Sequence, residues 1–165
     1  MDSVDTLKEK IDVRALELKV PPLLLTAVFL AAIVAVVFVF PALVFPIPYS
    51  RYMSAGLMLA GVSMLLGAAL QFRLHHTTLD PRNPAKASKF VARGLFRISR
   101  NPMYFGMALV LASVTTWTCN ALGFLLVALF CLYLTEFQIK PEEAILEALF
   151  GVDYRAYKSS VRRWI

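Results

Sequence analysis

The chain has 165 residues and a mass of 18.4 kDa, room for one domain. Hydrophobic residues make up 59% and charged residues 17%, with a mean hydropathy of +0.66; soluble domains run nearer half apolar and a quarter charged. That balance excludes a soluble globular domain of this size and a disordered chain, and it indicates an integral membrane protein.

Taken in chain order, the pattern begins with Val4, Leu7, Ile11, Ala15 and Leu18. Their spacing of three and four residues predicts an amphipathic helix lying on the membrane surface. The opening is acidic, with no basic region and no small-residue cleavage site, so it does not read as a signal peptide. Three stretches then carry no Asp, Glu, Lys or Arg: residues 20–50, 52–72 and 101–135. A bilayer core about 30 Å thick needs about 20 apolar helical residues. The first stretch supplies one span, over 23–44, with Pro41, Pro46 and Pro48 in an outer turn. The second supplies one span almost without slack. Its many small residues (Ala55, Gly56, Ala60, Gly61, Ser63, Gly67, Ala68, Ala69) allow close helix packing. The third is too long for one span and suits a tight hairpin of two, broken at residues 119–123, where Asn120 and Gly123 are turn formers. The expected fold is all-α: an integral membrane bundle of four transmembrane helices, with an N-terminal amphipathic helix and a cytosolic helical tail.

Of the 17 Lys and Arg, four precede span one, Arg51 alone follows it, seven lie in residues 73–100 and five follow span four. The excess of basic residues places both termini and the 73–100 loop in the cytosol, at an inner or plasma membrane. The eleven acids divide as five, none, one and five over the same segments, so the net charge of +6 is concentrated in that loop. Few aromatics interleave it (Phe72, Phe90, Phe96). It suits anionic lipid head groups rather than nucleic acid. Cys119 and Cys131 fit neither a disulfide framework nor a metal spacing and read as small buried hydrophobes. The adjacent His75 and His76 point to different faces of a helix, so no metal is expected.

Two segments mix charge, Pro, Gly and aromatics at the cytosolic face. The first runs from Phe90 to Gly106. In it Asn101 is a suitable N-cap, Pro102 a suitable first helical residue, Arg100 can snorkel to phosphates and Tyr104 can sit in the aromatic belt. In the second, Pro141 starts a helix, Glu142 and Glu143 complement its positive end, and Tyr154, Tyr157 and Trp164 lie at the interface. These readings need no ligand. Yet a cytosolic helix start offers free N–H groups to an anion, and the hairpin returns Pro141 to the side where Asn101 began. Donors and a carboxylate pair thereby meet at one face, an arrangement suited to a ligand bearing an amine and hydroxyls.

The pattern Gly94-x-Phe96-x-x-x-Arg100-Asn101-Pro102-x-Tyr104-x-Gly106, then Glu142-Glu143, Phe150-Gly151, Tyr154, Tyr157 and Val161-Arg162-Arg163-Trp164, resembles the isoprenylcysteine carboxyl methyltransferase family and the related phospholipid N-methyltransferases. The resemblance covers residues 75–165. It implies a small membrane enzyme that uses S-adenosylmethionine. Carried over, the cofactor-binding residues are Ser88, Lys89, Phe90 and Val91, then Phe96, then Arg100, Asn101, Pro102, Met103 and Tyr104, and finally Glu142 and Glu143. Phe96 stands where the family often has Tyr, and Asn101 where eukaryotic members have His. Gln138 stands where carboxyl-methylating members carry an Arg that pairs with the substrate carboxylate. Its presence disfavours a carboxylate substrate and favours an amine or hydroxyl. Glu136 is a candidate contact for an amine.

The organisation implied is one membrane domain over 1–165: an interfacial helix (1–20), spans one and two (21–73), a cytosolic cofactor loop (74–100), the hairpin (101–140) and a cytosolic helical tail (141–165). The expected function is methyl transfer from S-adenosylmethionine to a lipophilic small molecule or lipid that enters from the bilayer, with membrane lipids as the other partners. Two alternatives stay open. One is a membrane NADPH-dependent enzyme of the sterol-reductase type, which shares the Arg-(His/Asn)-Pro-x-Tyr turn. The other is a non-enzymatic membrane scaffold.

Overall fold

A computed structural model describes residues 20–74 and 94–165. The expected amphipathic helix before residue 20, the His75-His76 pair and Ser88, Lys89, Phe90 and Val91 lie outside the described residues. Among those described there are helices and no strand: α1 (Pro22–Val39), α2 (Ser50–Leu74), α3 (Pro102–Thr118), α4 (Ala121–Leu134) and α5 (Lys140–Ser160). Short 3₁₀ turns cover Pro41–Leu43 and Gly94–Arg97. The helices Pro22–Val39, Ser50–Gln71 and Ala121–Ser160 are long and apolar enough to cross a membrane. The 17-residue α3 packs among them. Leu23, Val28, Phe38, Leu59, Leu66 and Leu132 are exposed, as side chains facing lipid must be, and the protein is a membrane protein.

Each helix starts and stops for a local reason. Pro22 occupies the first turn of α1, where a missing N–H costs nothing. That helix ends at Phe40, ahead of Pro41 and earlier than the sequence reading of 23–44, because the prolines turn the chain. The closest crossing joins α2 to α3. A Cβ on Gly61 would sit 2.9 Å from the Gly106 carbonyl oxygen, and one on Gly106 would sit 2.9 Å from that of Gly61, so the backbones touch where both side chains are absent. The Ser113 hydroxyl donates to the Ser54 carbonyl over 2.9 Å along the same seam. Gly56, from the same small-residue run, has open space around it.

The hairpin between α3 and α4 is made differently from the sequence reading. Cys119, not a glycine, takes the left-handed conformation at φ 53°. Asn120 caps α4 by accepting the Leu122 N–H at 3.0 Å, and its Nδ2 donates to the Phe40 carbonyl. Phe45 N–H donates to the Cys119 carbonyl, which ties the two turns at this end of the bundle. Gly123 lies inside α4, where a Cβ would meet Thr115 Cγ2 at 2.9 Å; it allows close approach rather than the turn. Arg51 lies 5.9 Å above the Trp117 ring at the same end. Cys119 is buried, whereas Cys131 is only partly so.

A second correction concerns Pro141. It does not open an independent helix, because α4 runs through a π turn (Thr135–Ile139) directly into α5. Lys140 N–H reaches back to the Thr135 carbonyl. The wider turn absorbs the bond that Pro141 cannot make. Further on, Gly151 at φ 51°, ψ −117° kinks α5, a conformation open to glycine alone.

Candidate functional site

The other end of the bundle gathers the two segments singled out above. Gly94, at φ 58°, packs where a Cβ would overlap the Gln71 side chain, so the chain enters the site hard against α2. The Tyr157 hydroxyl donates to the Phe96 carbonyl at 2.6 Å and pins this turn to α5. Phe96 itself is buried. Tyr154 and Tyr157 are buried as well, with ring centroids 6.0 Å apart, so both face protein.

Asn101 precedes α3 as expected, but its side chain makes no cap. Its Nδ2 instead donates to the Arg163 carbonyl at 3.0 Å, while Ser99 Oγ accepts the Asn101 N–H at 3.1 Å. With Pro102 at the first position and no side-chain cap, the first turn of α3 keeps free backbone donors among the described residues. Tyr104 turns inward rather than toward the belt. It is 5% exposed, and its hydroxyl donates to Glu142 Oε1 over 2.5 Å. Met103 follows Pro102 in the same turn and is partly buried.

Glu143 is 4% exposed. Arg100 Nη2 lies 3.2 Å from its Oε1, and Arg163 grips both oxygens, Nε to Oε1 at 3.1 Å and Nη2 to Oε2 at 2.9 Å. Arg100 therefore does not snorkel; its side chain is 9% exposed. Its Nε and Nη1 are buried and have no partner among the described residues. The hydrogen bond to Glu143 raises the Arg163 pKa further, so this guanidinium stays charged. Glu142, by contrast, has the neutral Tyr104 hydroxyl as its partner, and no cation among the described residues pairs with it.

Gln138 lies in the π turn and is fully buried. Its Nε2 donates to the Val20 carbonyl at 2.9 Å, and its Oε1 has no partner among the described residues. Glu136 is half exposed, with both oxygens on Lys140 at 2.6 and 2.7 Å. The structure thus brings Arg100, Asn101, Pro102, Tyr104, Glu142 and Glu143 together, buries Gln138 and leaves Glu136 on the surface. No cluster of His, Cys, Asp and Glu able to hold a metal is found among the described residues. Sequence reasoning missed Ser99 and Arg163 as parts of this cluster. Of the Val161-Arg162-Arg163-Trp164 run in the motif, sequence reasoning assigned a role to Trp164 alone, at the interface.

Charge lies buried at one end of this apolar helical bundle, beside the first turn of α3, in a membrane protein. The comparisons name its class: residues 49–153 match the phospholipid methyltransferase family model. This is most of the chain, and the chain belongs to that family. The match covers α2, α3, α4 and both halves of the site up to Asp153. The chain is also similar to an "uncharacterized protein" of Haemophilus influenzae, at 46% identity over 63 residues, which is 38% of this chain and the whole of that one. No solved structure matches. Family membership sets methyl transfer at a membrane as the class of chemistry.

Proposed function

We propose that the protein transfers a methyl group from S-adenosylmethionine to an amine- or hydroxyl-bearing lipophilic small molecule or lipid at the cytosolic membrane face. The observation that carries this reading is the meeting of the segment 100–104 with Glu142 and Glu143. The groups suit the cofactor's chemistry. The unpartnered Arg100 Nε and Nη1 match a carboxylate, with the free N–H groups at the start of α3 beside them. The Glu142 carboxylate matches an amine or ribose hydroxyls. When bound, the cofactor supplies an activated methyl group. The protein's part is to align a nucleophile about 3 Å from it and to exclude water. An amine nucleophile must first lose its proton.

Gln138 argues for the substrate class. Its orphaned Oε1 gains a hydrogen bond from an amine or hydroxyl and repels a carboxylate, and a buried acceptor left unpaired costs about 1–3 kcal/mol. Glu136 would reach a substrate amine only by exchanging Lys140. Of the two related families, the match is to the phospholipid branch; the likeness to carboxyl methyltransferases rests on the motif alone.

The reading includes four spans, with α3 as the third, both termini in the cytosol of an inner or plasma membrane, and residues 74–100 completing the cofactor site as part of a single domain. The lipophilic substrate enters laterally from the bilayer. The test is incubation of the purified protein with methyl-tritiated S-adenosylmethionine and a total lipid extract. Label in amine or hydroxyl lipids supports the reading. Base-labile methyl ester label, or NADPH oxidation without label, overturns it.

A further inference from the structure

We propose that residues 161–165 form a clasp over the cofactor site, with Arg163 as its positioning residue. The clasp divides the acidic pair: Glu143 belongs to the clasp, and Glu142 alone faces the ligand. The ligand assignment rests on the S-adenosylmethionine reading; the clasp itself does not.

The chain leaves α5 at Val161, in extended conformation at φ −124°. It then crosses both halves of the site. The Arg162 carbonyl accepts the Arg100 N–H at 3.0 Å. The Arg163 carbonyl accepts Asn101 Nδ2 at 3.0 Å and the Ser99 hydroxyl at 3.3 Å. The Trp164 indole N–H donates to Thr135 Oγ1 at 3.3 Å, at the head of the π turn, and its ring packs against the core. Few residues thus connect the entry to α3, the start of α5 and the end of α4. None of the clasp residues lies within the family match, which ends at residue 153.

The carboxylates are partitioned by their partners. An ionised carboxyl has about four acceptor sites. Glu143 gives two of them to the Arg163 fork, has Arg100 Nη2 beside Oε1 at 3.2 Å as an ion pair, and is buried, which leaves little for a ligand. Glu142 gives one oxygen to Tyr104, and its other oxygen has no partner among the described residues. Arg163 matters because its planar fork engages both Glu143 oxygens, a geometry Lys cannot reproduce. With Glu143 satisfied in this way, Arg100 spends one nitrogen on it and keeps Nε and Nη1 free. Without Arg163, Glu143 would draw the whole Arg100 fork to itself and remove those donors from the ligand.

The experiment uses the full chain in detergent, with two readouts. The first is steady-state methyl transfer to a total lipid extract. Arg163→Gln should raise the KM for S-adenosylmethionine about tenfold or more and leave kcat within about twofold, since lost ground-state binding moves KM alone. Arg163→Lys should restore part of that loss, and Arg155→Gln, at an exposed side chain outside the clasp, should change nothing. The second readout needs no cofactor. With Trp117→Phe as background, Trp164 is the remaining indole, and Arg163→Gln or Glu143→Gln should shift its emission to the red as the clasp opens. Should Arg163→Gln not fold, Arg163→Lys carries both readouts, with a smaller shift in the same direction. Unchanged KM and emission overturn the proposal, as does a fall in kcat at constant KM. A wild-type chain that does not use S-adenosylmethionine sinks the proposed function, while the emission of the Glu143→Gln chain still decides the clasp.

Discussion

The Tyr104 hydroxyl donates to Glu142 Oε1 over 2.5 Å, joining the first turn of α3 to the first turn of α5. A phenol aims a carboxyl group without forming an ion pair, so Glu142 is held in place with its second oxygen open to a ligand. Glu143, one residue on, is instead neutralised by Arg100 and Arg163. Adjacent acids of the same type thus have different work because their surroundings differ.

Tyr104→Phe keeps the ring and deletes the donor. Deleting the donor leaves a buried acceptor unpaired, at about 1–3 kcal/mol, so S-adenosylmethionine should bind about five- to a hundredfold more weakly. Combined with Glu142→Gln, the losses should be less than additive, since both changes break one unit. Calorimetric titration of the two single variants and the double variant checks this.

The acidic pair should separate in a thermal unfolding experiment. Glu143→Ala leaves two guanidinium groups around a vacant place; breaking a buried ion pair by removing one partner costs about 3–5 kcal/mol. Glu142→Ala leaves no cation stranded, only the buried Tyr104 hydroxyl without its acceptor, and should cost less, about 1–3 kcal/mol. Equal losses of stability would contradict the assignment of Glu143 to the fold.

At the helix crossing, Gly61→Val must push α2 away from α3 and should cost about 1–3 kcal/mol. Gly56→Ala, placed in open space, should be neutral or slightly stabilising, because alanine favours the helix by about 1 kcal/mol. Chemical unfolding in mild detergent distinguishes the two.

These contrasts mark what the sequence could and could not reveal. The breaks between helices were legible because charge cannot sit in the bilayer, so Arg51 and the gap before Glu136 bound the apolar runs. The hairpin at residue 120 was legible from Asn120, but the assignment of its parts was not. The left-handed residue is Cys119, and Gly123 answers to Thr115 across the hairpin. Asn101 was placed correctly before α3 and given the wrong partner, because the Arg163 carbonyl that claims its side chain lies 62 residues away. Pro141 read as a helix start because a π turn that carries a helix past proline leaves no periodic mark. The pairing of Tyr104 with Glu142 depends on how α3 meets α5, which local spacing does not encode.

Asn120→Ala should destabilise the opposite end of the bundle. It removes the cap on α4, worth about 1 kcal/mol, and strands the Phe40 carbonyl, for a total of about 2–3 kcal/mol. Cofactor affinity should be unchanged, because Asn120 lies at the end of the bundle away from Glu142. Thermal unfolding and calorimetry on the same preparation give both values.

The most direct test of the account is a calorimetric titration of S-adenosylmethionine into the purified chain, repeated with Arg100→Gln and with Glu142→Gln. The account predicts saturable binding to the wild-type chain and at least tenfold weaker binding to each variant. No binding by the wild-type chain, or equal affinity in all three, would contradict it.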